Sequence, residues 1–240
     1  VSGSAQEDPL LTLETADPEP FVADERARLW LAPALQSGQD PLAWRESGEL
    51  LLAALAKEEE LLASGRGTVR VVRLGAYEGV WRVNRHGGLL GGLRGDRYRS
   101  PARLQSEVTL VGHLRELGVP TPPVLLAFAA RRGSAWRQHL VTLRVPEAVS
   151  VFDAREQAGA AQAARELLDR LYELGLWATD LHPDNLLWQA ESQRCWLIDL
   201  AGARLLGRPL NGRERAARDA RFLRYFQKHA GAVPTAFSTL

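Results

Sequence analysis

A chain of 240 residues with 45% hydrophobic and 25% charged side chains is long enough to bury a sizeable core, as one domain or two small ones. Its 30 basic and 29 acidic residues leave a formal charge of +1, so no global excess argues for nucleic acid and any attraction to anions must be local. The one cysteine, Cys195, excludes an intramolecular disulfide framework and fits a reducing compartment, and the longest apolar runs, 50–56 and 124–130, fall far short of the ~18 residues a spanning helix needs.

Residues 1–22 are polar and interrupted by Asp8-Pro9, Asp17-Pro18 and Glu19-Pro20, which predicts a loose or extended arm rather than a long helix. The chain contains no methionine, so its native start is expected to be missing, processed or replaced, and its first few residues carry no weight here. A short helix is predicted over 23–31 before Pro33. A stronger amphipathic one follows from Pro41 or Ser47 to Ala63, with Leu51, Leu55 and Leu62 on one side and Lys57 to Glu60 as a solvated charged turn.

From Ser64 the texture changes. Gly65, Arg66, Gly67 and Thr68 read as a tight turn entering a strand, and Gly75 to Gly79 as the turn into the next, over 80–83. Glycines at 65 and 67 let backbone amides approach phosphate oxygens, although a ligand-free hairpin has the same sequence and Arg70 stands where a full nucleotide-covering loop has its third glycine. Arg82, near the end of the second strand, occupies the place where protein kinases put the phosphate-gripping lysine. A helix predicted from near Pro101, with Leu104, Val108 and Val111 at helical spacing, carries Glu107 as its candidate ion-pair partner. Between them lies the most basic stretch of the chain, with Arg85, His86, Arg94, Arg97 and Arg99 among paired glycines. It reads either as a reader of an anionic substrate or as a solvated flexible loop.

Gly118 to Pro123 stops the helix, strands follow over 124–129 and 139–143, and Arg144 to Pro146 sits where a kinase hinge would join two lobes. A helix over 157–174 delivers the chain to Asp180-Leu-His-Pro-Asp-Asn185, and an apolar strand then leads to Asp199. An acid, an amide five residues on and a second acid beyond a strand form the kinase pattern of catalytic base and two metal ligands. In that pattern Asp180 accepts the proton of an acceptor hydroxyl, while Asn185 and Asp199 hold magnesium against the phosphates of ATP. The alternative is that Asp180 and Asp184 are turn formers around Pro183 and Asn185 caps the next segment, a reading that the second block at its expected distance weakens but leaves open. A basic helix over 213–229, with Ala216, Ala220, Leu223 and Phe222 or Phe226 as its apolar stripe, closes the chain.

Gly65 to Thr68, Arg82, Arg85 to Leu89, Gly95 to Tyr98, Glu107, Asp180 to Leu186 and Trp196 to Asp199, in that order, give a chain that resembles the lipopolysaccharide kinases acting on Kdo and heptose, nearest the Kdo kinases. The resemblance runs from Gly65 to Lys228. It departs from the family's usual residues at Ala178, Thr179, His182 and Ala201. It implies an α+β, bilobed protein-kinase-like fold, with a small antiparallel sheet and one helix in an N-lobe over 64–145, a mostly helical C-lobe over 146–240, and 1–63 as arm and helices. It also implies ATP and Mg2+ as cofactors and a lipid-linked anionic sugar as substrate. The reaction implied is transfer of the γ-phosphate to a Kdo hydroxyl on lipid A, at the cytoplasmic face of the inner membrane. A kinase of another small molecule or of a protein, and a nucleotide-binding pseudokinase, remain open from sequence.

Overall fold

Two compact units divide the chain, Val1–His113 with Pro122–Arg144 and Leu114–Thr121 with Val145–Leu240. The computed structural model describes residues 8–64, 67–84 and 95–238. Helices and antiparallel sheets are mixed, and every strand pairing among the described residues is antiparallel.

The first unit is built on seven strands, β1 (Val22–Ala23), β2 (Ala27–Leu31), β3 (Ala56–Ser64), β4 (Gly67–Leu74), β5 (Tyr77–Val83), β6 (Val124–Arg132) and β7 (Ala135–Leu143). They lie in the order β1-β2-β6-β7-β5-β4-β3. The continuous apolar run that opens β6 is buried from Val124 to Ala129, as expected of a strand flanked on both sides. Helix α1 (Pro41–Leu55), broken by a kink at Ser47, buries Trp44 before the break and Gly48 and Leu52, four residues apart, after it. A Cβ on Gly48 would stand 2.4 Å from the Phe128 ring, so only glycine allows this approach. Helix α2 (Ala102–Glu116) buries Leu104, Val108, Val111 and Leu114 at the predicted spacing.

Two expectations for the N-terminal part are corrected. Residues 23–31 form not a helix but most of the β1–β2 hairpin, because the Asp24 carboxylate accepts from the backbone amides of Arg26 (2.6 Å) and Ala27 (2.8 Å) and turns the chain. Leu29, Trp30 and Leu31 then pair with Phe128, Ala127 and Leu126, and this burial outweighs the weak local helical pattern. The helix expected to reach Ala63 ends at Leu55, and 56–64 continue as the edge strand β3. Lys57 to Glu60 fall within the register break between Ala56 and Leu61 of the β3–β4 pairing. The stretch before β1 packs as an arm: Ala16 donates to the carbonyl of Val124 (2.8 Å) and Leu10 is buried.

The second unit carries β8 (Ala148–Ser150), β9 (Leu176–Trp177), β10 (Leu186–Gln189), β11 (Arg194–Leu197) and β12 (Arg204–Leu205), in sheets ordered β11-β10-β8 and β12-β9. Helix α3 (Ala158–Glu173) buries Ala160, Ala164, Leu168 and Leu171, small and branched residues at helical spacing. Helix α4 (Gly212–Ala230) begins with a reciprocal capping box between Asn211 and Glu214 and is followed by Gly231 at φ 78°. Its buried residues are Phe222 and Phe226, which meet Phe237 at 6.0 and 4.8 Å between ring centroids, whereas Ala216 and Ala220 are exposed. Cys195 is buried, its thiol pushed up to about 12 by that burial, in keeping with a core role.

Two predictions follow from these elements. Gly175 has φ 78°, and a Cβ there would lie 2.0 Å from the backbone oxygen of Arg208, so Gly175→Ala should lower unfolding free energy by about 2 kcal/mol or more in urea titrations. Glu49 on α1 is hydrogen-bonded to Nε2 of His139 (3.1 Å) and paired with Arg132, and these partners hold its carboxyl at about 2 against the opposing effect of burial. A depressed carboxyl stabilises the fold above its ordinary value of 4.5, and that contribution disappears as pH falls from about 4.5 to about 2. Denaturation across that range should show a shallower acid loss in Glu49→Gln than in the parent chain.

Candidate active site

The loop that bears Asp180 is held at both ends by local geometry. After α3, Gly175 turns the chain into β9, and Pro183 pre-sets the backbone of a single 3-10 turn over Pro183–Asn185 that opens directly into β10. Inside the loop the Asn185 side chain donates Nδ2 to the backbone oxygen of Asp180 (2.6 Å), and the Asn185 amide donates to the carbonyl of His182 (2.8 Å). The five-residue spacing of acid and amide therefore closes a ring that presents the Asp180 carboxylate, 65% exposed, to solvent.

Asp199 is brought to the same place by strand register. Leu186 pairs with Leu197 in the β10–β11 hairpin, and one step further the Ile198 amide donates to the Asn185 carbonyl (2.9 Å), so Asp199 emerges just past the end of the ladder. It adopts φ 56°, a left-handed conformation uncommon outside glycine but tolerated by aspartate, and accepts a bond from the Ala201 amide (3.3 Å). On the other side of β11, Leu197 donates to the carbonyl of Pro120 (2.8 Å) and accepts from the Thr121 hydroxyl (2.9 Å).

Helix α4 packs on the 183–185 turn and supplies side chains that sequence reasoning did not assign to the site. Arg218 donates to the Ala178 carbonyl (2.9 Å) and lies over the Trp177 ring at 4.3 Å, so the small residue at 178 leaves room for an arginine brace. Arg221 pairs with Asp180 (3.3 Å). Tyr225 stacks on His182 with centroids 4.5 Å apart and planes 8° from parallel, and its hydroxyl donates to Asp184. Burial pushes His182 below its ordinary 6.5, while the carboxylates of Asp180, Asp184 and Asp199 pull the other way. The spacing of positions 218, 221 and 225 puts all three on one side of a helix, but nothing in the sequence shows which loop that side would cover.

The donor set suits magnesium. With its Nδ2 committed to Asp180, Asn185 has its amide oxygen to offer, and Asp199 adds a carboxylate. Two hard oxygen ligands, with phosphates and water completing the shell, are what this ion takes.

In the first unit, Arg82 on β5 donates to Asn84 Oδ1 (2.8 Å) and forms an ion pair with Glu107 of α2, whose side chain is only 2% exposed. A carboxylate so buried requires a cation, which fixes the guanidinium in place. Gly67 and Thr68 open β4, with Gly67 paired to Ser64 across the hairpin turn. Gly65, Arg66, Arg85, His86 and Arg94 lie outside the described residues. Arg97 and Arg99 are exposed on either side of Tyr98, whose backbone bridges to Trp136.

A model of the lipopolysaccharide kinase (Kdo/WaaP) family matches residues 54–232. The chain belongs to that family. Membership makes it a kinase, and the curated relatives agree. It is 26% identical over 189 residues to 3-deoxy-D-manno-octulosonic acid kinase of Vibrio cholerae, covering 73% of this chain and 76% of the relative. It is 31% identical over 145 residues to the enzyme of the same name from Vibrio vulnificus, covering 57% of this chain and 61% of that one. The Photobacterium profundum enzyme of that name is 28% identical over 189 residues, with 73% and 75% covered. The solved structure of WaaP in complex with acyl carrier protein superposes with a TM-score of 0.51 at 18% identity, over 83% of this chain and 80% of WaaP, which carries the kinase-like fold. Arg218→Ala should lower stability by about 1 to 2 kcal/mol through the lost carbonyl bond and ring contact, with a shift in tryptophan emission as Trp177 loses its cover.

Proposed function

We propose that the protein transfers the γ-phosphate of ATP to a sugar hydroxyl of the lipopolysaccharide inner core, a Kdo residue attached to lipid A, at the cytoplasmic face of the inner membrane. The observation that carries the reading is the hairpin register that brings Asp199 out beside Asn185, whose side chain holds the Asp180 backbone, in a chain of this family. Among the described residues no helix is long and apolar enough to cross a membrane, so the lipid-linked acceptor would be met by peripheral contact.

In this reading the acceptor hydroxyl attacks the γ-phosphorus and gives its proton to Asp180, the bond from the γ-phosphorus to the bridging oxygen breaks, and ADP leaves with that electron pair. Asn185 and Asp199 hold magnesium, which neutralises charge on the phosphate oxygens when bound. Arg82, kept rigid by Glu107, grips the phosphates, and the backbone of Gly65, Arg66, Gly67 and Thr68 covers them. Arg85, His86, Arg94, Arg97 and Arg99 serve the anionic groups of the lipid-linked substrate.

Asp180→Ala should reduce phosphate transfer about 100- to 10,000-fold with the KM for ATP nearly unchanged, measured by product formation from labelled ATP. Equal turnover in that variant would remove the assignment. Mass spectrometry of the lipid A core from cells with and without the protein names the acceptor: an unchanged phosphate content, alongside labelling of a different hydroxyl compound or of a protein in vitro, would move the reaction to that other substrate.

A further inference from the structure

Asp180 and Asp184 lie in one short loop, and the β10–β11 pairing brings Asp199 out beside the Asn185 end of that loop, so three carboxylates share this part of the unit. Two of the three have assigned work in transfer. An acceptor that carries its own carboxylate would be repelled from Asp180 unless a cation met it there. Helix α4 brings two arginines to this loop, and they are placed differently. Arg218 is committed to the Ala178 carbonyl and the Trp177 ring. Arg221 is 51% exposed and makes a single long contact, 3.3 Å from Nη2 to Oδ1 of Asp180, itself 65% exposed.

Such an exposed, one-point ion pair contributes little stability and is readily exchanged. A guanidinium binds a carboxylate best as a two-pronged fork, a geometry the contact with Asp180 does not use. Resting on the proposed reaction, we infer that Arg221 is the anion anchor for the acceptor, exchanging Asp180 for the carboxylate of an acidic sugar. The exchange has two effects. It gives the incoming sugar a fixed orientation about its acid group, and it leaves Oδ1 of Asp180 to accept the hydroxyl proton. Arg221 thereby selects acidic sugars over neutral ones of the same shape.

The test compares a Kdo alkyl glycoside with its methyl ester, which keeps the hydroxyls and removes the charge. In Arg221→Ala the KM for the acid should rise about tenfold or more, the KM for ATP should stay as it was, and the preference for acid over ester should collapse. Arg221→Lys should recover part of that preference, as a point charge without the fork. Arg224→Ala, which removes an exposed charge from the same helix, should leave it intact. If Arg221 only braces Asp180, acid and ester will lose kcat equally with KM unchanged, and the inference is overturned. Calorimetric binding of the acid glycoside separates this from failure of the reaction itself. Parent protein that transfers no phosphate to the glycoside overturns the proposed function, whereas Arg221→Ala that binds the glycoside as tightly as the parent overturns the anchor.

Discussion

One backbone hydrogen bond, from the Ile198 amide to the Asn185 carbonyl, ties the two halves of the candidate site together. It is the last rung of the β10–β11 ladder, and a shift of one residue in that pairing would turn every side chain of the hairpin to the opposite face. The hairpin resists the shift because Trp188, Cys195, Trp196 and Leu197 are buried, and because Pro120 and Thr121 bond the far edge of β11 at Leu197. The left-handed backbone at Asp199 then turns the chain immediately after the strand, so packing in the core of the second unit determines where a carboxylate some fourteen positions beyond the loop emerges.

The electrostatic design rests on unequal treatment of charges. Glu107 and Glu49 are shielded carboxylates, each supplied with a cation or an imidazole, and they stiffen the first unit. Asp180 stays open to solvent, and the acids around it are balanced from one side by α4. The same helix is anchored by the aromatic cluster of Phe222, Phe226 and Phe237 and by the bond from Tyr172 to Asp219 (2.8 Å), so its basic edge is carried on a rigid support.

Legibility followed the range of the interactions. Helices over 102–116, 158–173 and 212–230 were readable because their apolar spacing and their glycine or proline stops are local signals. The five-residue spacing of Asp180 and Asn185 is a local consequence of one loop, and the place of Asp199 follows from one hairpin. Strand β2 was missed because what makes it a strand is pairing with β6, about a hundred residues away, and β3 because an alanine- and glutamate-rich edge strand has the composition of a helix. Gly48 hid the buried stripe of α1, since a residue without a side chain registers no hydrophobicity even where it permits the closest contact. Arg218, Arg221 and Tyr225 were missed as neighbours of the Asp180 loop, because their target depends on tertiary packing.

The second unit is not a contiguous length of chain, because Leu114–Thr121 belongs to it whereas Pro122–Arg144 belongs to the first unit. Besides the bonds to Leu197, this short insert offers the Leu117 carbonyl to Arg170 (3.2 Å) and receives Arg115 at the Thr121 carbonyl (2.7 Å). A fragment cut at Val145 would therefore begin life with one margin of β11 bare, next to the residue that precedes Asp199 by two. Modular dissection of this enzyme at the boundary before Val145 would remove a structural splint together with the discarded half, and any minimal fragment of the second unit has to carry that octapeptide with it.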